Sequence, residues 1–154
     1  MIFPFKIKFS TQIIGTISPE NSQLIVNFIK DYIVKRKGQD IKIEKDHLTF
    51  KTNLFKMSSF DILSPVEKGI FYIKVKEQNL SLVYEIFMFR LFIISIIMSI
   101  IFGILTTDIR IGIFAFLWLG GMNWITAILR NRIMLNKIAK GIVTLQSKKQ
   151  IVEH

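Results

Sequence analysis

The stretches Ile86 to Leu105, IFMFRLFIISIIMSIIFGIL, and Ile111 to Leu129, IGIFAFLWLGGMNWITAIL, decide the fold. Only Thr106-Thr107-Asp108-Ile109-Arg110 stands between them. As helices rising about 1.5 Å per residue they span roughly 30 and 28 Å, the thickness of a bilayer core. The expectation is a two-helix transmembrane hairpin over 86–129.

The rest of the chain is polar. The 154 residues are 51% hydrophobic with mean hydropathy +0.44, and the apolar excess lies in the hairpin. Ahead of it, residues 1–85 are long enough for a small domain with a thin core. Behind it, residues 130–154 form a short basic tail. There are no cysteines, which removes disulfides, thiolate metal sites and cysteine nucleophiles. At the start, MIFPFKIKFS places Pro4, Lys6 and Lys8 where a signal peptide carries its apolar stretch. The first apolar helix is therefore expected to act as its own insertion signal.

A net charge of +10 invites a nucleic-acid reading, but its distribution argues for a membrane. Residues 1–85 hold 13 Lys/Arg against 9 Asp/Glu, and residues 130–154 hold 6 against Glu153 alone. The loop is neutral, with Asp108 and Arg110. Basic flanks around a neutral loop follow the positive-inside pattern, with both termini cytoplasmic. The expected location is the cell inner (plasma) membrane, as a multi-pass protein.

Along residues 1–85 the hydrophobic period changes. Phe3, Phe5, Ile7 and Phe9 alternate with Pro4, Lys6, Lys8 and Ser10, a half-buried strand. Ser18, Pro19 and Glu20 signal a helix start. Leu24, Ile25, Phe28, Ile29, Tyr32 and Ile33 give that helix an apolar face, and Lys35-Arg36-Lys37-Gly38 ends it. Ile41/Ile43 and Leu48/Phe50 make a hairpin about Lys45-Asp46. Phe71/Ile73/Val75 and Leu80/Leu82/Tyr84 make another about Gln78-Asn79. The expected cytosolic domain is a two-layer α+β fold, β-α-β-β-β-β, with an antiparallel or mixed sheet. Residues 53–68 are long for a loop, and Phe55, Met57, Phe60, Ile62 and Leu63 either finish the core or bind membrane or a partner. The last strand runs into the first membrane helix with no linker, so the domain is expected close against the membrane.

The tail repeats Ile133, Met134, Ile138, Ile142 and Leu145 at helical spacing. It is expected to be partly helical, either continuing the second membrane helix or lying along the surface. Within the hairpin, Ser95, Ser99 and Gly103 form a small-residue stripe, and Gly112, Phe116, Gly120, Asn123 and Ala127 share a face. Of these, Ser95, Ser99, Gly103, Gly112, Gly120 and Asn123 are the expected helix–helix packing residues. Antiparallel pairing places Ser95 near Gly121 and Ser99 near Leu117, with an Asn123–Ser95 hydrogen bond within reach. Trp118 is expected in packing. Arg90 either snorkels or, with Arg130, Arg132 and Lys137, meets lipid headgroups.

Catalytic signatures are missing. His47 and His154 are isolated, and no metal-binding, phosphate-cradling or nucleophile motif occurs. Asp61 and Glu67 are the nearest thing to an acid pair. The sequence therefore points to a non-enzyme without a cofactor or metal, an integral membrane protein presenting a small binding or assembly domain at the membrane face as an accessory subunit. Its partners are the lipid bilayer and either a second copy or a larger membrane complex, with no nucleic acid expected. The alternatives are a small oligomeric transporter or pore component, and a membrane-tethered enzyme with an unrecognised site.

Overall fold

The computed structural model describes residues 5–13, 19–44, 47–53, 63, 65–76 and 79–152. The order is β1 (Lys6–Ile13), α1 (Pro19–Lys35), β2 (Gln39–Glu44), β3 (His47–Lys51), β4 (Lys68–Lys76) and β5 (Asn79–Phe87). Then come α2 (Phe89–Thr106), α3 (Ile109–Phe116), a π-helical turn (Leu117–Met122) and α4 (Asn123–Val152). The sheet is antiparallel throughout, in the order β1-β5-β4-β3-β2. β1 and β2 are the two edges, and α1 crosses the sheet between them.

The strand periodicity sets the core. Ile13, Leu48, Phe50, Phe71, Leu82, Tyr84 and Ile86 point to one face and are buried. Phe9 lies opposite Tyr84, and Tyr84 opposite Phe71. The Tyr84 and Phe71 rings stack at 4.1 Å, with Phe9 and Phe50 stacked on either side at about 6 Å. Phe50 reaches this row because Gly69 opposes it: a Cβ there would sit 2.2 Å from the Phe50 ring.

α1 lays Ile25, Val26, Ile29 and Ile33 on the core face, while Leu24 is exposed. Its end is a Schellman motif: Gly38 N–H donates to the Ile33 carbonyl and Lys37 N–H to that of Val34. The left-handed residue is Lys37, at φ 63°, rather than Gly38. Gly38 is needed for room, since a Cβ there would meet Ile33 Cγ2 at 2.3 Å. The expected cap, Ser18, lies outside the described residues. On the edge strand β2, the register shifts between Gln39 and Lys42, where Asp40 has φ 48°. Such a bulge disturbs an otherwise pairable edge.

Three boundaries move from their expected places. Asn79 pairs with Lys76 and so belongs to β5 rather than to the expected Gln78-Asn79 turn; Gln78 lies outside the described residues. Ile86 and Phe87 belong to β5, so the first apolar helix starts at Phe89. The interhelical turn is only Thr107-Asp108, with Thr107 at φ 53° closing α2 and Asp108 Oδ1 accepting the Arg110 N–H at 2.9 Å. Of the long 53–68 segment, Leu63 and Val66 are buried in the core. Phe55, Met57, Phe60 and Ile62 lie outside the described residues.

The tail is where the sequence reading was least complete. α4 leaves the hairpin and continues to Val152, and its face of Met134, Leu135, Ile138, Ala139 and Ile142 is part of the domain core. Ile133, counted on the apolar face from spacing, is exposed. α4 lies over β1 and beside α1, touching it where Gly141 leaves room for the Phe28 ring. The helical layer of the domain is thus α1 plus the distal part of α4.

α2 and the rod from α3 to α4 are each long and apolar enough to cross a membrane. The most apolar windows have mean hydropathies of 2.3 and 1.6, and only 6% and 17% of them are buried. The core helix of a soluble protein would be mostly covered.

Candidate functional site

The hairpin seam brings together five of the six packing residues. Gly112 and Gly103 touch backbone to backbone, a Cβ on Gly112 falling 3.3 Å from Gly103 Cα and 2.9 Å from the Ser99 carbonyl oxygen. The Ser99 hydroxyl donates to the Gly112 carbonyl at 2.6 Å. Ser95, almost fully buried, packs against Gly120 and donates to the Leu91 carbonyl of its own helix at 2.8 Å. Asn123 is not in the seam. It is exposed, and its Nδ2 donates to the Leu119 carbonyl at 2.6 Å, so the expected Asn123–Ser95 bond is replaced by two own-helix bonds. The cause is the π turn. An i→i+5 turn rotates each residue through less than the α angle. Six such residues carry Asn123 off the face that uniform α spacing assigns it. Trp118 also turns outward, stacking with Phe114 at 6.1 Å.

The hairpin joins the domain at two places. On one side the ladder persists to the last residue before α2: Glu67 N–H donates to the Phe87 carbonyl and Met88 N–H to that of Phe5. The Phe5 ring then meets Phe89 and Phe92 edge-on at 5.0 and 5.2 Å. On the other side, α4 carries Asn131 into the core with no exposed surface. Asn131 Oδ1 accepts the Tyr84 hydroxyl at 3.0 Å, and its Nδ2 donates to the Ala127 carbonyl. The sequence hid this pair, because Asn131 sits between two arginines and reads as solvated. Tyr84 was the available signal, since an inward tyrosine needs a partner for its hydroxyl.

Among the described residues no helix packs on the opposite face of the sheet. Its rungs follow from the register. Nearest the hairpin, Lys6, Phe87, Lys68 and Lys51 stand side by side on β1, β5, β4 and β3. Lys6 and Lys68 flank the Phe87 ring, their Nζ atoms 5.5 and 5.9 Å from its centre. One rung further, Lys8 opposes Glu85. Tyr72 donates to Glu85 Oε1 at 2.9 Å, with Lys8 and Lys74 beside its ring and His47 stacked on it. Lys6 Nζ lies 2.9 Å from Glu85 Oε2. Partial burial works to raise the Glu85 pKa, but Lys6, Tyr72 and Lys8 outweigh it and hold the carboxyl below its ordinary range. The Lys8 pKa is raised, chiefly by the Tyr72 oxygen.

The expected headgroup cations lie on two helices, Arg90 on α2 and the others on α4. Arg90 Nε lies 3.6 Å from Glu67 Oε1. Arg130, Arg132 and Lys137 follow one another along α4, and Lys137 lies on the stretch of α4 whose other face joins the core. Asp61 lies outside the described residues, so the Asp61/Glu67 pair is not assembled among them. Among the described residues no group of three or more His, Asp or Glu side chains converges. A groove of about 570 Å³ between β1 and α4 is lined by Thr11, Gln12, Asn136, Ala139, Lys140, Val143 and Thr144, a set with one titratable side chain. No family model, curated protein or solved structure matches the chain.

Proposed function

We propose that this chain is an integral membrane protein whose helical hairpin holds an α+β binding or assembly domain at the cytoplasmic face of the inner (plasma) membrane, as an accessory subunit of a larger membrane complex. The carrying observation is the double join. Met88 alone separates β5 from α2, and α4 runs unbroken from the hairpin into the domain core. A tether that only localised a domain would need one flexible connection. Two continuous joins give the domain one attitude to the hairpin, which presents the lysine-rich sheet face in a fixed direction. The uncovered apolar surface of α2 and α3 supports the membrane location, and the basic flanks support the orientation.

The lack of cysteines makes the orientation directly testable. Single cysteines at exposed Thr107 and Lys74, in whole cells, are labelled with a membrane-impermeant maleimide. Thr107→Cys should react from outside, and Lys74→Cys only after permeabilisation; the reverse pattern overturns the orientation. For the assembly role, the protein is purified in mild detergent. A monomer carrying neither protein nor lipid, under conditions that keep it folded, would end the accessory-subunit reading.

A further inference from the structure

We propose that the sheet rung nearest the hairpin, Lys6-Phe87-Lys68-Lys51, is a binding strip for the phosphate of an anionic phospholipid in the leaflet entered by the hairpin. The inference rests on the membrane reading above and adds a ligand to it. Lys51 and Lys68 are directly opposed across β3 and β4. Like charges so placed on one face destabilise a sheet. No carboxylate among the described residues forms an ion pair with either, since Glu85 is taken by Lys6 and Lys8, and Glu67 by Arg90. Two lysines on opposed residues, with no ion pair to either among the described residues, are the complement of an anion. The Phe87 ring fixes one side of the strip, with Lys6 and Lys68 along it.

The place of the strip selects the anion. Phe87 is two residues from the start of α2, so the rung lies at the level where an apolar helix emerges among headgroups. Lysine and aromatic side chains favour that level, their apolar parts toward hydrocarbon and their polar tips toward phosphate. β1 and β4 leave this end and β3 and β5 return to it, which collects residues 6, 51, 68 and 87 into one row.

The test uses the full chain in mild detergent, titrated with short-chain phosphatidylglycerol or phosphatidylcholine, with thermal stability and native mass spectrometry as readouts. Phosphatidylglycerol should bind and raise the melting temperature, and phosphatidylcholine should not. The Lys51→Gln/Lys68→Gln variant should be at least as stable as the parent without lipid, because a like-charge pair is gone. It should bind phosphatidylglycerol about 25-fold more weakly, at roughly fivefold per lysine near a lipid surface. Lys74→Gln, further along the same face, should leave binding unchanged. Equal binding by the double variant, or an equal loss in Lys74→Gln, overturns the strip. So does displacement of the lipid by inorganic phosphate or by a single-stranded oligonucleotide, which would make the face a site for a soluble anion. Flotation with phosphatidylcholine vesicles separates the two readings. A chain that fails to float removes the membrane location, whereas one that floats without preferring phosphatidylglycerol removes only the strip.

Discussion

The Tyr84–Asn131 hydrogen bond should behave as a buried pair whose halves are costly to break singly and cheap to remove together. Both residues have no exposed surface, and the bond measures 3.0 Å. Tyr84→Phe keeps the ring and its 4.1 Å stacking on Phe71, so only the hydroxyl is lost. Asn131 Oδ1 is then left without a donor in the core, at a cost of about 1–3 kcal/mol. Asn131→Leu leaves the hydroxyl without an acceptor, at a similar cost. The double variant leaves neither group orphaned, and its loss should be about 1 kcal/mol or less. The coupling from a double-mutant cycle should thus be about 1 kcal/mol at the least and about 3 kcal/mol at the middle of these ranges. In detergent, at about 2–4 °C per kcal/mol for a chain of this size, each single variant melts several degrees below the parent. The double variant recovers most of that loss. Alkaline pH gives an independent readout. Burial pushes the Tyr84 pKa well up, so the folded chain keeps a proton that the unfolded chain releases above about pH 10. Stability therefore falls as pH rises through that range, and Tyr84→Phe should soften the fall. Single losses that simply add in the double variant, or that stay under about 0.5 kcal/mol, would refute the reasoning.

Four further outcomes follow from the structure. Glu85 has a lowered pKa, so its contribution is present above the ordinary carboxylate value of 4.5 and is lost as pH falls through the folded value; Glu85→Gln should flatten that acid limb in a pH series of thermal melts. Gly112→Ala places a Cβ 2.9 Å from a backbone oxygen of α2 and should cost about 1–3 kcal/mol in detergent unfolding. Gly121→Ala, with no atom within 4 Å, should be neutral or slightly stabilising. Asn123→Leu should leave hairpin stability unchanged, because Asn123 bonds only within its own helix; a loss above about 1 kcal/mol would restore an interhelical role.

What the sequence made legible was whatever a period records. Alternation along β1, β3, β4 and β5 assigned each residue to its face, and the 3.6 spacing over 24–33 found α1. The hairpin followed from length and hydropathy. The misplaced pieces are those where period is silent or changes. Ile86 sits in an apolar run that reads equally as strand or helix, and the β5 ladder decides for strand. Asn123 was assigned by α spacing through a segment that the structure winds as a π turn. Residues 130–152 showed an apolar stripe, but no local signal says what such a stripe covers. The Lys51–Lys68 opposition and the Lys6-Phe87-Lys68 row join residues far apart in sequence, so they exist only once the register is known.

The two joins also decide how the domain can move. Were β5–α2 the only connection, a swing of the sheet about Met88 would be opposed only by the Met88–Phe5 hydrogen bond and the Phe5 ring against α2. α4 removes that freedom, because it is at once the second arm of the hairpin and part of the domain's helical layer. Tyr84 ties β5 to α4 a few residues above the seam. Tilting the sheet therefore requires the rod from α3 to α4 to shift against α2, and the closest resistance is at Gly112, Ser99 and Gly103, where backbones are in contact. The π turn lies between that contact and Asn131, where one extra residue per turn is already accommodated and a change of winding would turn α4 about its axis. Any event that displaced the lysine-rich face would thus have to work through the seam, and any event that opened the seam would be felt at that face.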